Sequence, residues 1–304
     1  MEQIKTIFEL IKLFAADQDV APNSCKLYIT NIKLFIRWCQ RQNKDPESIR
    51  KPDIIGYKND LFANKYSSLT IDSRITSLRK FYKWCDTNEY YNDITIGIKN
   101  PKKYQGYKKD PLTIDQVNTL LNSIDRTTIT GKRDFAIINL MLRTGLRTIE
   151  ITRMDIGDVE LKEGTYYLNI LRKGSQGNKT KISISDKTYD PINDYLVERL
   201  NVDDSKPLFV VTSYNCKGSR INTAGLSQLI KKRLLKANIN SKKITAHSLR
   251  HTAALNALKI GASLYDVQMF LGHTSSNTTQ LYIKAINEEK ILINTPNRML
   301  DGVF

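Results

Sequence analysis

Residues 100–111 read NPKKYQGYKKDP, and this stretch limits the fold more than any other. Two prolines and a glycine break helix and strand alike, and four lysines hold the segment in water, so no regular element is expected to cross it. The 304-residue chain exceeds the ordinary size of one domain, and the lengths on either side are each sufficient to bury a core. The expected division is a helical domain over 1–100, a basic linker over 101–111 and a second domain over 112–304.

Before the linker, apolar residues recur at helical spacing: Ile4, Ile7, Phe8, Ile11 and Phe14; then Tyr28, Ile32, Phe35 and Cys39; then Ile71, Ile75, Leu78, Tyr82 and Cys85. A fourth, weaker helix begins around Pro52-Asp53, since proline is tolerated in a first turn. The segments KLFIRWC (33–39) and RKFYKWC (79–85) set aromatic side chains beside basic ones. Such a seam can stack on bases, but at this spacing it reads first as core.

After the linker, Thr113-Ile-Asp-Gln116 has the spacing of a capping box, so a helix starts there. A second helix over roughly 132–144 ends at Thr144-Gly145. The β-rich runs TYYLNILRK and KTKISIS, separated by GSQGN, signal a hairpin, and helices return from about 224. The expected fold is mainly α, with a small antiparallel β-sheet in the C-terminal domain.

Net charge is +16, and both halves are basic: residues 1–110 carry 20 basic and 13 acidic side chains, residues 111–304 carry 27 and 18. That is the footprint of a polyanion held between two domains. Charge for solubility alone is the alternative, and it costs self-repulsion. No apolar run of membrane-spanning length and no signal peptide is evident, so the expectation is a cytoplasmic, nucleoid-associated protein with no membrane partner. Cys25, Cys39, Cys85 and Cys216 are scattered and read as reduced thiols.

All three histidines lie near the C-terminus: His247 and His251 in HSLRH, and His273. A spacing of four puts the first two on one helical face, as in zinc-binding H-E-x-x-H. Here, however, Ser248 replaces the glutamate and Arg250 would repel a cation. A phosphate fits better, because His247 and Arg250 share a face and can bind phosphate oxygens and hold a proton. Tyr282 follows nine residues after His273, and a cationic pocket would stabilise its phenolate for attack on phosphorus.

The blocks AHSLRHTAALNAL, LGHTSSNTTQLYI and RTGLRTIEI (143–151) closely resemble the tyrosine recombinase (phage integrase) superfamily, especially its compact Xer-like members. The resemblance covers nearly the whole chain and implies a helical core-binding domain followed by a catalytic domain. Carried over by residue, it implies that Arg147, His247, Arg250 and His273 cradle the phosphate and that Tyr282 is the nucleophile. Lys173, in LRKGSQGNKTK, matches the hairpin lysine that acts as general acid. The long loop departs from the family pattern and leaves Lys179 as its rival. His251 matches a position usually structural, and Glu150 either supports Arg147 or caps the local helix.

The resemblance further implies a site-specific DNA recombinase that works through a 3′-phosphotyrosyl link and a Holliday junction, either integrating or excising a mobile element or resolving DNA dimers. Its partners would be double-stranded recombination sites, with a dimer per site and a homotetramer in the synapse, and an accessory directionality factor in some roles. No cofactor or metal is implied, and the chain has no phosphate-binding G-x-x-x-x-G-K-[ST] loop. A tail over about 286–304, with Ile286, Ile291, Leu292 and Ile293, would dock on a neighbouring subunit or on its own domain. Because the chain begins directly with core-binding helices, recognition of remote arm sites is not expected. Two rivals remain: a type IB topoisomerase-like enzyme with the same chemistry, and a non-catalytic DNA-binding protein, which should lack a nucleophile or an arginine.

Overall fold

The computed structural model describes residues 6–102, 109–172, 175, 177–199, 202–213, 217–272 and 282. The chain divides into two compact units, Met1–Gln105 and Gly106–Phe304.

The first unit contains α1 (Ile7–Ala16), α2 (Pro22–Arg41), α3 (Lys51–Ala63) and α4 (Ser68–Thr87). α1 begins in a capping box, with the Thr6 hydroxyl accepting from the Glu9 amide and the Glu9 carboxylate accepting in return. In α3, Pro52 occupies the first turn, where its missing amide costs nothing. The apolar stripe of α4 closes the core: Ile71, Ile75, Leu78, Tyr82 and Cys85 are all buried. The aromatic seam belongs to that core. Phe35, Trp38, Phe81 and Tyr82 are buried, and Phe81 meets Phe14 edge-on with ring centroids 5.5 Å apart. Phe8 departs from the pattern and stands 51% exposed on the outer face of α1. Cys39 and Cys85 are free thiols in the core and Cys25 is a half-buried one; burial pushes the first two up to about 12. Cys216 lies outside the described residues.

The second unit is mostly helical around a three-stranded antiparallel sheet. It starts with α5 (Ile114–Asn122), capped reciprocally by Thr113 and Gln116, and continues with α6 (Ile129–Thr144) and the short α7 (Thr148–Thr152). Then come β1 (Val159–Lys162), β2 (Thr165–Leu171) and β3 (Lys179–Ile184) in the order β1-β2-β3. β2 and β3 form the expected hairpin, with Leu171 opposite Lys179. β1 is an added strand, joined to β2 through Glu163 and Gly164, both at positive φ. The rest is α8 (Asp186–Val197), α9 (Thr223–Lys236), α10 (Ala246–Lys259) and α11 (Leu264–Leu271).

α10 is deeply buried: Ala246 and the eight consecutive residues from Ser248 to Leu255 are all inside. Its polar side chains are satisfied inside. Thr252 accepts from the Leu112 amide at 2.8 Å and donates to the Ser248 carbonyl at 2.9 Å, while Ser248 accepts from the Thr245 amide at the helix start. Among the described residues no helix is long and apolar enough to cross a membrane.

Candidate active site

Arg147 follows the turn that ends α6. Gly145 there has φ of 61°, and a Cβ would stand 2.6 Å from Cδ2 of Leu271, so conformation and packing both demand glycine. Arg147 then occupies the N-cap of α7. The fully buried carboxylate of Glu150 accepts from the Arg147 backbone amide at 2.8 Å and from Nη1 of its guanidinium at 2.9 Å. One side chain thus performs both roles the sequence left open, capping the helix and holding the arginine.

A second cation reaches Glu150. Nη1 of Arg172, at the end of β2, lies 3.6 Å from Oε2, and the same guanidinium donates to the carbonyls of Leu271 and Phe270 at 3.4 and 3.3 Å. Gly272, at φ of 61°, lies close enough that a Cβ there would come within 3.0 Å of that guanidinium. Burial lowers the pKa of Arg172, against the pull of Glu150. Sequence reasoning passed over Arg172, whose only signal is its place just before Lys173.

Arg250 is 1% exposed. Its Nη1 donates to the Gly145 carbonyl at 2.6 Å and Nη2 to the Leu271 carbonyl at 2.8 Å, so a single guanidinium ties the end of α6 to the end of α11. Burial, and next the nearby Arg147, bring its pKa down to about 10, which leaves it charged at neutral pH. His247, one turn before His251 on α10, keeps a solvent-facing edge. Desolvation of its ring, then repulsion from Arg250 and Arg147, lower its pKa and favour neutral imidazole.

Tyr282 is buried with Ala254, Leu255, Val267 and Leu271, between α10 and α11. Its phenol oxygen lies 2.7 Å from Nδ1 of His251, whose ring meets His247 edge-on at 4.5 Å. Burial pushes the phenol up to about 12, while Arg250 and Arg147 pull it down. Lys179, at the start of β3, forms an ion pair with the buried carboxylate of Asp158. Lys173, His273 and the 286–304 tail lie outside the described residues. Among the described residues no group of three or more His, Cys, Asp and Glu side chains is gathered for a metal. A phenol in contact with an imidazole and under the influence of two arginines is suited to a phosphate ester, where the cations stabilise charge growing on phosphoryl oxygens.

The phage integrase family model matches residues 111–289, and the phage integrase N-terminal SAM-like domain matches residues 8–91. The chain belongs to the phage integrase family. Among the relatives of this integrase-family chain, the tyrosine recombinase XerD of Staphylococcus haemolyticus is 30% identical over 279 residues, covering 91% of this chain and 92% of that one. XerD of Staphylococcus epidermidis is 35% identical over 222 residues, 71% of this chain and 72% of that one. The crystal structure of XerH site-specific recombinase bound to palindromic difH substrate, a post-cleavage complex, has a TM-score of 0.73 at 20% identity, covering 98% of this chain and 84% of that chain. The XerH likeness speaks to the fold alone. With the XerD relatives and the family match, this chain is a tyrosine site-specific recombinase, and the type IB and binding-only alternatives are not favoured.

Proposed function

We propose that this recombinase cuts and rejoins double-stranded DNA through a 3′-phosphotyrosyl link at Tyr282, with Arg147, His247, Arg250 and His273 around the phosphate and Lys173 as general acid. The observation that carries the reading is the enclosure of the Tyr282 phenol beside Arg250 and Arg147, whose charges oppose the effect of burial on it. Among the described residues Tyr57 and Tyr195 are also buried beside two arginines, but Tyr282 in addition lies 2.7 Å from an imidazole, Nδ1 of His251, which suits it to attack an anionic ester.

The chemistry follows from those groups. The two guanidinium groups stabilise the charge that grows on phosphorus-bound oxygen, the effect expected to be largest. An alkoxide is a poor leaving group, so the 5′-oxygen needs a proton donor. The ion pair of Lys179 with Asp158 occupies that ammonium, which favours Lys173 as the acid. The phosphotyrosine keeps the energy of the phosphodiester, so rejoining needs no nucleotide.

Each chain brings one Tyr282, so exchange of four strands takes four chains, two on each site, with strands traded in pairs through a Holliday junction. In that assembly the 286–304 tail docks on the neighbouring subunit, the two basic units bind the duplex, and an accessory factor sets direction where the role requires it. Action on chromosomal DNA makes the protein nucleoid-associated. The test is a plasmid with two target sites assayed beside a supercoiled circle with one. Exchange between sites is expected; relaxation of the single-site circle without exchange would mean strand swivelling instead.

A further inference from the structure

Beyond the groups assigned above, the phenol of Tyr282 has a partner of its own. His251 Nδ1 is 2.7 Å from the phenol oxygen, and both side chains are buried, His251 to 9% exposure and Tyr282 to 1%. A neutral imidazole nitrogen at that distance accepts a phenol proton directly. Among the described residues His247 is the other histidine, but it keeps a solvent-facing edge, and its ring packs perpendicular to that of His251. The helix fixes the geometry: His251 and Arg250 are adjacent on α10, so the segment that holds the buried cation also aims the imidazole at the tyrosine.

We infer that His251 is the proton acceptor for Tyr282 during strand cleavage and the proton donor to it during rejoining. This rests on Tyr282 being the nucleophile. In cleavage the phenol O–H bond breaks and its proton goes to Nδ1; the phenol oxygen bonds to phosphorus; the bond from phosphorus to the 5′-oxygen breaks, and that oxygen takes a proton from the general acid proposed at Lys173. In rejoining the 5′-hydroxyl attacks phosphorus and returns its proton to that lysine, the bond from phosphorus to the tyrosine oxygen breaks, and the tyrosine oxygen recovers its proton from His251. Burial that lifts the phenol to about 12 leaves almost no free phenolate at neutral pH, so an acceptor in contact has a large effect.

The test compares His251→Asn, which keeps a hydrogen-bonding group near Nδ1 but takes no proton, with wild type on a nicked suicide substrate. Cleavage should fall by about a hundredfold or more. A second measurement uses DNA ending in a 3′-p-nitrophenyl phosphate, joined to a 5′-hydroxyl strand by proteins that already carry Tyr282→Phe. Here p-nitrophenolate departs unprotonated, so adding His251→Asn should leave joining within about threefold. Joining that falls as far as cleavage would make His251 a prop for the phosphate pocket and overturn the inference. Cleavage by His251→Asn at or above the wild-type rate would also overturn it, making the contact a latch that restrains the tyrosine. A covalent adduct formed by Tyr282→Phe alone would sink the nucleophile assignment, and the inference with it, by a separate readout.

Discussion

Glu150 and Arg147 are joined twice: one buried carboxylate accepts the backbone amide of Arg147 at 2.8 Å and its guanidinium at 2.9 Å. Arg172 approaches the same carboxylate, so its removal leaves two cations without their shared anion. Glu150→Ala should therefore cost about 3–5 kcal/mol in denaturant unfolding. Glu150→Gln, which keeps an acceptor for the amide, should lose less stability yet still cleave DNA slowly. Equal, small effects of both changes would mean that Arg147 is held by other contacts.

Arg250 has two tasks that different measurements separate. Its proposed task is to act by charge on the reacting phosphate, and its Nη1 and Nη2 hold the carbonyls of Gly145 and Leu271. Arg250→Ala should lose cleavage by on the order of a hundredfold, with a modest loss of DNA affinity because the rest of the basic surface supplies most phosphate contacts. It should also lower the melting temperature, since the Gly145 carbonyl loses the guanidinium and the Leu271 carbonyl keeps only the longer contact from Arg172. A drop in affinity as large as the drop in cleavage would reduce the arginine to a clamp.

Several helices and the hairpin were legible in the sequence because they depend on local rules, whereas the candidate site residues came from the family resemblance. The capping box at Thr113 and Gln116, the stripe from Ile71 to Cys85 and the β2–β3 hairpin all follow from neighbours along the chain. What escaped depends on distant partners. β1 is four residues long, too short to show a period, and α8 carries inside it Pro191, a residue type that ordinarily interrupts a helix. Arg172 acquires its place only when α11 brings the Leu271 and Phe270 carbonyls to it across about a hundred residues. The contact of His251 with Tyr282 likewise exists only once the fold sets the two together.

Gly145 tests how closely α6 and α11 must approach. At φ of 61° an L side chain is strained, and a Cβ would overlap Leu271 at 2.6 Å. Gly145→Ala should destabilise by roughly 1–3 kcal/mol and slow cleavage, because Arg250 bonds to both segments. Wild-type unfolding midpoint and cleavage rate would show that the turn relaxes freely.

His247 gives a pH prediction with a definite sign. Its folded pKa lies below its usual value, through burial and then Arg250 and Arg147, so the unfolded chain binds more protons as pH falls. Stability from this group is full above the ordinary histidine range and is lost as pH drops through and below it. Wild type should thus lose more stability between pH 7.5 and pH 5 than His247→Gln, measured by denaturant unfolding. The opposite order would mean that folding favours the imidazolium.

The general acid can be tested by its leaving group. Lys173→Ala should be slow on an ordinary 5′-oxygen substrate and recover on a 5′-bridging phosphorothiolate, whose sulfur departs without a proton. Lys179→Ala should need no such rescue, its ammonium being engaged with Asp158. Rescue of Lys179→Ala in place of Lys173→Ala would move the acid to the far strand of the hairpin.

The central claim is that Tyr282 is the nucleophile, and one measurement addresses it most directly. Wild type and Tyr282→Phe are incubated with a nicked suicide substrate labelled on the cleaved strand 5′ to the scissile phosphate, the part that keeps the phosphate at its 3′ end, and covalent protein–DNA adduct is read on a denaturing gel. The change removes one oxygen from a phenyl ring buried among Ala254, Leu255, Val267 and Leu271, so the fold and specific DNA binding should persist. Wild type should trap the adduct and Tyr282→Phe should trap none while binding the site normally. An adduct at wild-type level with Tyr282→Phe would place the covalent bond on another residue and contradict the account.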